Sequence, residues 1–221
     1  MSERPRYDVV IATPGRMFHA AYVASLVRTT RALTERGLTY TLLNKYSSFV
    51  ATARELTAID SFRHDYSSNL VAGGAFDYSK LFWIDSDIEW TPDDFMKLYD
   101  SPERIVSGLY ALDQVGSVAA SYANDHGLLT RINKVEFLLR DDLVEVSGVG
   151  FGFLCVKYGV FESLPRPWFQ IAKMRWSPDS ELRVNVGEDY SWCAKAQQHG
   201  YRIYVDPTVK VGHYKETVFE V

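Results

Sequence analysis

The amino-acid sequence predicts one α/β domain, in which a doubly wound half with a parallel sheet is followed by a half with a mixed sheet. Between Tyr7 and Leu109, short apolar runs typical of buried strands alternate with segments of helical periodicity. After Leu109 the pattern changes to short strand candidates with little helix between them, which indicates mixed or antiparallel pairing. A length of 221 residues suits one domain with a large core. We therefore expect a single domain over 1–221, with a first half of about 1–110 and a second half of about 111–221.

The first half is predicted to alternate strands with helices. The predicted strands are Tyr7–Ala12, Leu38–Asn44, Leu81–Ile84 and Ile105–Leu109. The predicted helices are Phe18–Arg36, Val50–Ile59 and a segment that begins near Asp93. In the last of these, Thr91 is a suitable N-cap, Pro92 suits the first helical position, and acids suit the first turn. Asp93 and Asp94 are therefore interpreted as helix-end acids rather than ligands.

The second half is predicted to contain short strands and two helices. The predicted strands are Leu128–Ile132, Val135–Leu139, Leu143–Val146, Phe151–Val156 and Ile203–Val205. The predicted helices are Tyr158–Leu164 and Asp189–His199. Between them, Leu164–Val186 has no clear periodicity and contains prolines and aromatic side chains. Such a segment is either a lid or binding wall beside a site, or an irregular segment packed on the core.

Composition and charge exclude several classes of protein. The formal net charge of -4 gives no overall basic character that would recruit nucleic acid. Cys155 and Cys193 lie in apolar patterns without metal-ligand spacing, so we expect buried free thiols. The N-terminal apolar run is too short for a signal peptide, and no window has the length of a membrane span. We therefore expect a soluble, cytoplasmic protein.

Two acids follow the predicted central strand directly. Asp85 and Asp87 come immediately after Leu81–Ile84. Side chains i and i+2 of an extended chain point to the same side, and two carboxylates at one point suit a divalent cation such as Mg²⁺ or Mn²⁺. A position at the carboxyl end of a strand in an α/β sheet favours a ligand site. The alternative is that this Asp-x-Asp sequence is a turn or a helix cap.

The first strand ends in a similar way. Thr13, Pro14 and Gly15 follow Ala12, and a strand that breaks into Pro-Gly exposes backbone groups and a hydroxyl to a small molecule. A plain connecting turn is the alternative. No G-x-G-x-x-G sequence is present, so a dinucleotide fingerprint is absent.

Four pieces of the sequence, in this order, resemble the GT-A fold of glycosyltransferases that use nucleotide sugars. They are the first strand with Thr13, the Asp85-Ser86-Asp87 element, Gly187-Glu188-Asp189 at the start of a helix, and the tail YVDPTVKVGH that ends at His213. The chain looks most like the small soluble inverting members of the family-2 type, some of which viruses and phages encode. The resemblance implies that the first half binds the nucleotide sugar and the second half binds the acceptor.

The resemblance also implies a metal site and a donor site. Asp87 would bind Mn²⁺ or Mg²⁺ directly, Asp85 would contact the cation through water or the donor's ribose, and His213 would complete the metal set. Without this context, a lone histidine is usually a surface or core residue. In the donor site, a nucleoside-diphosphate sugar would lie near Thr13 and Pro14.

Other donor contacts would come from Ser86 and from a polar or basic residue before the central strand. In relatives an Arg-Asn pair often holds the donor from that position. Here Ser68-Asn69 and Ala53-Arg54-Glu55 are both candidates, so Arg54 and Asn69 both stay open.

The catalytic and acceptor roles fall on the second half. By resemblance, Asp189 would be the general base, and Glu188 would hold the acceptor hydroxyl or orient the base. A carboxylate suits this role when it is ionised at neutral pH, and a helix N-terminus favours ionisation. Acids at a helix start are also favoured without catalysis. The rings of Trp168 and Trp176 would suit an acceptor sugar.

The expected activity is metal-dependent transfer of a sugar to an acceptor hydroxyl with inversion. The acceptor could be a glycan, a small molecule, a protein or a modified nucleic-acid base. The Q-x-x-R-W element of processive polymer synthases is absent, because Gln197-Gln198-His199-Gly200-Tyr201 stands in its place. Three alternatives stay open: retaining transfer, a nucleotidyltransferase that makes a nucleotide sugar, and a non-catalytic nucleotide-sugar binder. The segment ATPGRMFHA suits a nucleotidyltransferase poorly, because it has one Gly and one Arg.

Overall fold

The computed structural model describes residues 4–63, 67–123, 129–175 and 183–215. The strands are β1 (Arg6–Ala12), β2 (Tyr40–Leu43), β3 (Asp77–Ile84), β4 (Ile88–Glu89), β5 (Ile105–Leu109), β6 (Ser117–Ala123), β7 (Leu129–Asn133), β8 (Val144–Val146), β9 (Gly148–Val149), β10 (Phe153–Lys157), β11 (Ala172–Arg175), β12 (Arg183–Val186), β13 (Ile203–Lys210) and β14 (Gly212–His213). The helices are α1 (Ala20–Glu35), α2 (Val50–Ile59), α3 (Pro92–Asp100), α4 (Val160–Ser163) and α5 (Glu188–Gln198). Within these described ranges, no helix is both long and apolar enough to cross a membrane.

The main sheet is mixed, with strand order β2-β1-β3-β10-β5-β13-β8. β1 pairs in parallel with both β2 and β3, and β13 pairs in parallel with β5. β10 lies between β3 and β5 and is antiparallel to both. The predicted mixed α/β fold is confirmed, but β5 is not the direct neighbour of β3, because the later strand β10 separates them.

Helices cover both faces of this sheet, which explains why its central strands are apolar on both sides. Alternate residues of β1 and β3 enter two separate cores. Val10 and Trp83 pack in the core that also holds buried residues of α2 and α5. Ile11 and Phe82 pack in the core that holds buried residues of α1 and α3. β3 is therefore a rigid element, and its carboxyl end is held in a defined position.

The start of α3 agrees with its prediction. The hydroxyl of Thr91 accepts a hydrogen bond from the backbone N–H of Asp94, whose carboxylate accepts one from the N–H of Thr91. Pro92 follows at the first helical position. Asp94 is therefore a capping residue, as the sequence predicts.

The predicted strand Val135–Leu139 is wrong. The chain forms a 3-10 turn over Lys134–Phe137, which begins where the side chain of Asn133 accepts a hydrogen bond from the N–H of Val135. This cap competes with strand formation, and Leu139 is fully exposed.

Other boundaries differ because strands form in segments without strong strand signals. β6 is rich in small residues and has no strand signal in the sequence, yet it pairs with both β7 and β9. Within the predicted loop Leu164–Val186, β11 and β12 pair antiparallel to each other. β13 extends past the predicted Ile203–Val205 through Pro207, with a change of register between Val205 and Lys210.

Candidate active site

The carboxyl ends of β1, β2 and β3 open into a cleft of about 330 Å³. Because these strands are parallel neighbours, the segments that follow them emerge side by side at one edge of the sheet. The lining residues are Pro14, Gly15, Tyr46, Ser47, Ser48, Val50, Ala53, Arg54, Asp85, Ser86 and Asp87. The cleft therefore contains both acids that the sequence places after the central strand.

The side chain of Asn44 fixes the loop after β1, which forms one wall of the cleft. The amide nitrogen of Asn44 donates to the carbonyl oxygen of Thr13 at 2.7 Å and to that of Gly15 at 2.8 Å. These two bonds tie the loop after β1 to the end of β2. Sequence reasoning did not single out Asn44, although an amide directly after a strand is a usual signal for such a contact.

The acids after β3 lie in a tight turn. The backbone N–H of Asp85 donates to the carbonyl oxygen of Gly152 at 3.1 Å, and the N–H of Ile88 donates back to the carbonyl oxygen of Asp85 at 3.1 Å. The turn leads into β4, which pairs antiparallel with β14 and places His213 opposite Ile88. A residue near the end of the described chain is thereby brought to the acids of the central strand.

Asp87 has two positively polarised partners on one oxygen atom. Its Oδ2 lies 3.3 Å from Nε2 of His213 and 3.1 Å from Nζ of Lys215. Burial opposes ionisation of Asp87, but the hydrogen bonds from these two residues outweigh it and lower the pKa of Asp87 to about 2. The hydrogen bond to Asp87 raises the pKa of His213 in turn. Asp87 is therefore ionised at neutral pH.

The contacts of His213 suit a metal ligand. Its Nδ1 lies 2.8 Å from the carbonyl oxygen of Ala111 and donates to it, while its Nε2–H donates to Asp87, so loss of the Nε2 proton would leave a lone pair pointing to the same place. A carboxylate and an imidazole nitrogen are both donors that Mn²⁺ accepts. No group of three His, Cys, Asp or Glu side chains that could hold a metal is assembled among the described residues. Of the three expected ligands, Asp87 and His213 lie together, whereas Asp85 is bound by Arg54.

Arg54 joins the central-strand acids to α5. Its Nη2 lies 3.0 Å and 3.1 Å from the two carboxylate oxygens of Asp85, and its Nε lies 3.0 Å from Oε1 of Glu188. Only 4% of the Arg54 side chain is exposed. Burial alone would lower the pKa of Arg54, but the charges of the two acids raise it above its usual value. One buried guanidinium thus connects two acids that are far apart in sequence.

We expect Arg54→Met to lower the free energy of unfolding by about 3 kcal/mol, because breaking a buried ion pair leaves its partners uncompensated. Urea denaturation at pH 7 measures the change. Arg31→Met is the matched control, because Arg31 pairs with Glu35 on the exposed face of α1 and should cause no measurable change. Equal midpoints for the two variants would contradict the structural role of Arg54.

Asp189 lies in the first turn of α5, and its surroundings raise its pKa. Burial and then the charge of Glu188 raise the pKa of Asp189 to about 6, while Arg54 and the N–H of Tyr190 oppose the rise. The helix N-terminus therefore does not keep the pKa of Asp189 at its ordinary value, because desolvation and a neighbouring acid outweigh it, but the carboxylate is still mostly ionised at neutral pH. A side chain at Gly187 would approach Oδ1 of Asp189 to 2.9 Å, so glycine leaves room for this carboxylate.

Two of the expected donor-site residues lie away from the cleft surface. Thr13 is fully buried, and its hydroxyl is hydrogen-bonded at 2.5 Å to that of Tyr22. Asn69 donates to the carbonyl oxygens of Glu162 and Leu164. These two side chains therefore support the fold rather than face a donor.

One of the two expected acceptor tryptophans, Trp168, belongs to the residues that the structure describes. Trp168 is fully buried, and its indole N–H donates to the carbonyl oxygen of Phe161 at 2.8 Å. Its ring belongs to the core and offers no face to a sugar, so we assign it no acceptor contact. Trp176 lies outside the described residues.

A larger hollow of about 1060 Å³ lies at the opposite edge of the sheet, beside the start of β3. The ammonium groups that line it are bonded to the chain after α3, since Lys80 donates to the carbonyl oxygen of Ser101 and Lys157 to that of Pro102. These groups satisfy the end of a helix. The acids and the buried guanidinium therefore make the smaller cleft the candidate active site.

The fold is that of the GT-A-type glycosyltransferases. The chain is similar to A197 from STIV, with 19% identity, a TM-score of 0.52 and coverage of 96% of this chain and 97% of that one. It is similar to GalNAc-T7 solved with UDP, GalNAc and Mn²⁺, with 15% identity, a TM-score of 0.57 and coverage of 95% of this chain and 44% of that one.

A third similar structure is the catalytic domain of Drosophila β1,4-galactosyltransferase 7 in complex with xylobiose. Identity is 11%, the TM-score is 0.50, and coverage is 96% of this chain and 71% of that one. No protein-family model and no curated protein sequence matches the chain. At these identities, the similarity establishes the fold.

Proposed function

We propose that this protein is a metal-dependent glycosyltransferase that moves a sugar from a nucleoside-diphosphate sugar to an acceptor hydroxyl with inversion. The observation that carries the proposal is the buried Arg54, which binds both Asp85 in the cleft and Glu188 at the start of α5. Asp85 in the cleft and Glu188, the neighbour of the candidate base Asp189, are thereby parts of one charged site. The GT-A fold supports the same reaction class.

On the donor side, the nucleoside lies in the cleft between the Pro14-Gly15 wall and Tyr46. The diphosphate would lie towards Asp85 and Asp87, where Asp87 and His213 would hold Mn²⁺ or Mg²⁺. When bound, the cation neutralises the diphosphate leaving group as a Lewis acid. GalNAc-T7 was solved with UDP and Mn²⁺, which makes UDP-sugars the first donors to test.

On the acceptor side, Asp189 is the general base. The acceptor oxygen attacks the anomeric carbon from the face opposite the diphosphate, and its proton passes to the Asp189 carboxylate as the bond from the anomeric carbon to the diphosphate oxygen breaks. The products are the glycoside and the nucleoside diphosphate. Glu188, fixed by Arg54, orients this side of the site. Burial keeps Asp189 basic enough to take the proton.

A screen of nucleotide sugars with and without Mn²⁺ tests the proposal. We expect thermal stabilisation by one donor class only when Mn²⁺ is present, followed by donor hydrolysis or transfer with release of a nucleoside diphosphate. NMR of the product should show the anomer opposite to that of the donor. The same anomer would remove Asp189 from its role, and pyrophosphate release from a nucleoside triphosphate would indicate a nucleotidyltransferase instead.

The pKa of Asp189 sets a pH dependence. Because the ionised carboxylate is the active form and its pKa is raised to about 6, kcat/KM should fall as the pH decreases below 6 and level off above 7. Initial rates between pH 5 and about 8.5, with Mn²⁺ saturating at each pH, measure the profile. A profile that stays flat down to about pH 5, or that rises on acidification, would contradict Asp189 as the base.

A further inference from the structure

The tail of the described chain has a fixed backbone and ends in an exposed lysine side chain. The N–H of Tyr214 donates to the carbonyl oxygen of Asp87 at 2.9 Å, and the hydroxyl of Tyr214 donates to Oε2 of Glu89 at 2.7 Å. The ring of Tyr214 stacks on that of His19 with centroids 3.9 Å apart. These contacts hold the backbone before Lys215, whose side chain is 61% exposed.

We propose that Lys215 is an exchangeable counter-ion of Asp87 and a ligand for the donor's diphosphate. Without a divalent cation, its ammonium neutralises the Asp87 carboxylate. With the cation bound, the ammonium moves to the phosphate oxygens. This inference rests on the proposed function, because it requires that a cation and a diphosphate bind in the cleft.

Lys215 and a bound cation would compete for the same oxygen atom, Oδ2 of Asp87. Nζ of Lys215 is 3.1 Å from Oδ2 of Asp87, and Nε2 of His213 faces the same oxygen at 3.3 Å. A divalent ion on Oδ2 would lie within a few ångströms of the ammonium, and like charges that close repel strongly. When a cation binds Oδ2 of Asp87, each of the two residues must either move away from this oxygen or become a ligand of the cation.

The two residues differ in what they can do. The His213 side chain is 9% exposed and is held by the carbonyl oxygen of Ala111, so it stays in place and can become a ligand when Nε2 loses its proton. Lys215 carries an ammonium without a lone pair on a flexible, exposed stem, and an exposed ion pair costs little to break. Lys215 is therefore the residue that exchanges.

The destination follows from the charges of the cleft. Of the residues lining it in the described ranges, Arg54 is the cationic one, and its Nε and Nη2 are already bound to carboxylates. A diphosphate that enters the cleft therefore needs further positive charge besides the metal ion. The backbone directly before Lys215 is bonded to Asp87, so the ammonium group stays at the mouth of the same cleft after it leaves the carboxylate.

Binding measurements on Lys215→Ala test both halves of the proposal. Mn²⁺ alone should bind about fivefold more tightly than to the unmodified protein, the factor that an exposed ion pair contributes when it no longer competes. Inorganic pyrophosphate, titrated at saturating Mn²⁺, should bind about fivefold more weakly, because one cationic contact is lost. Mn²⁺ binding is followed by electron paramagnetic resonance of the free ion, and pyrophosphate binding by calorimetry.

Two control variants isolate the effect. Lys210→Ala removes the same charge from an exposed position of β13 and should change neither affinity. Lys215→Arg keeps the charge and should restore pyrophosphate binding. Opposite shifts for the two ligands are the signature, since a general loss of structure would weaken both.

The possible failures are distinguishable. Tight Mn²⁺ binding that is equal in the unmodified protein and in Lys215→Ala would overturn the counter-ion role. Unchanged pyrophosphate affinity would overturn the phosphate role. No Mn²⁺ binding by either protein would contradict the proposed metal-dependent function itself, and the inference would fail with it.

Discussion

Replacing Asp189 by Asn is expected to lower the rate of transfer about 10²–10⁴-fold, the contribution of a positioned general base. The amide keeps the shape of the side chain but cannot take the acceptor's proton. Because Asp189 contributes no expected contact to the donor or the metal, the affinities for Mn²⁺ and for the nucleoside diphosphate should be unchanged. Single-turnover rates and calorimetric titrations of the same preparation measure the two quantities.

The same substitution should stabilise the fold at high pH. The pKa of Asp189 is about 6 in the folded protein and has an ordinary value of 3.8, so ionising it favours the unfolded state. This penalty is absent below pH 4, grows between pH 4 and 6, and is complete above pH 6, where it amounts to roughly 3 kcal/mol. Asp189→Asn removes it, so the gain in stability should be present at pH 8 and absent at pH 4.

An inactive variant that is more stable separates catalysis from folding. Urea denaturation at pH 8 and pH 4, with EDTA present, is the measurement. Normal turnover by Asp189→Asn would remove this residue from the reaction. A loss of activity together with a loss of stability at pH 8 would instead indicate a structural role.

Replacing Asp87 by Ala should abolish metal-dependent binding of nucleoside diphosphate, with Mn²⁺ affinity reduced at least about 100-fold. The reason is that a carboxylate ligand is lost and the cationic side chains of His213 and Lys215 are left without their anion. Calorimetric titration of UDP in the presence and absence of Mn²⁺ measures the effect.

Asp93→Ala is the matched control for this substitution. Asp93 is an exposed acid in the first turn of α3, and it follows the same central strand. Its removal should leave Mn²⁺ and UDP binding unchanged. If Asp87→Ala retains metal-dependent binding, the ion is held elsewhere and the assignment of Asp87 fails.

Much of the fold follows from local patterns. The apolar run Leu81–Ile84 predicts a buried strand because both faces of β3 are covered by helices. The Thr91 cap is a short-range signal that the structure confirms, and the acid pair lies at the cleft after β3, although in a turn rather than in extended chain. Elements whose causes lie within one segment are therefore predictable.

The remaining features depend on contacts between distant segments. The antiparallel insertion of β10 between β3 and β5 is a matter of tertiary pairing, and no periodicity encodes it. Arg54 is one of two candidates by sequence, and only its contacts with Asp85 and Glu188 distinguish it from Asn69. The indole ring of Trp168 could stack on a sugar, but the ring is fully buried in the core and therefore not accessible to one.

The position of Lys215 also could not be predicted from the sequence. It stands two residues after His213 in an unremarkable tail, and its position against Asp87 arises from the pairing of β14 with β4. That pairing joins residues separated by more than half the chain. The resemblance to a known family therefore points to His213, but nothing in the sequence points to Lys215.

A crystal structure with Mn²⁺ and UDP tests most directly the claim that the acids after the central strand and the histidine near the tail form one donor site. Anomalous scattering identifies the ion without reference to the protein geometry. We expect an Mn²⁺ peak coordinated by Asp87, His213 and the diphosphate, with Asp189 facing the space where the sugar would lie. An ion or diphosphate bound away from Asp87, with His213 still bonded to it as it is in the free protein, would contradict the account.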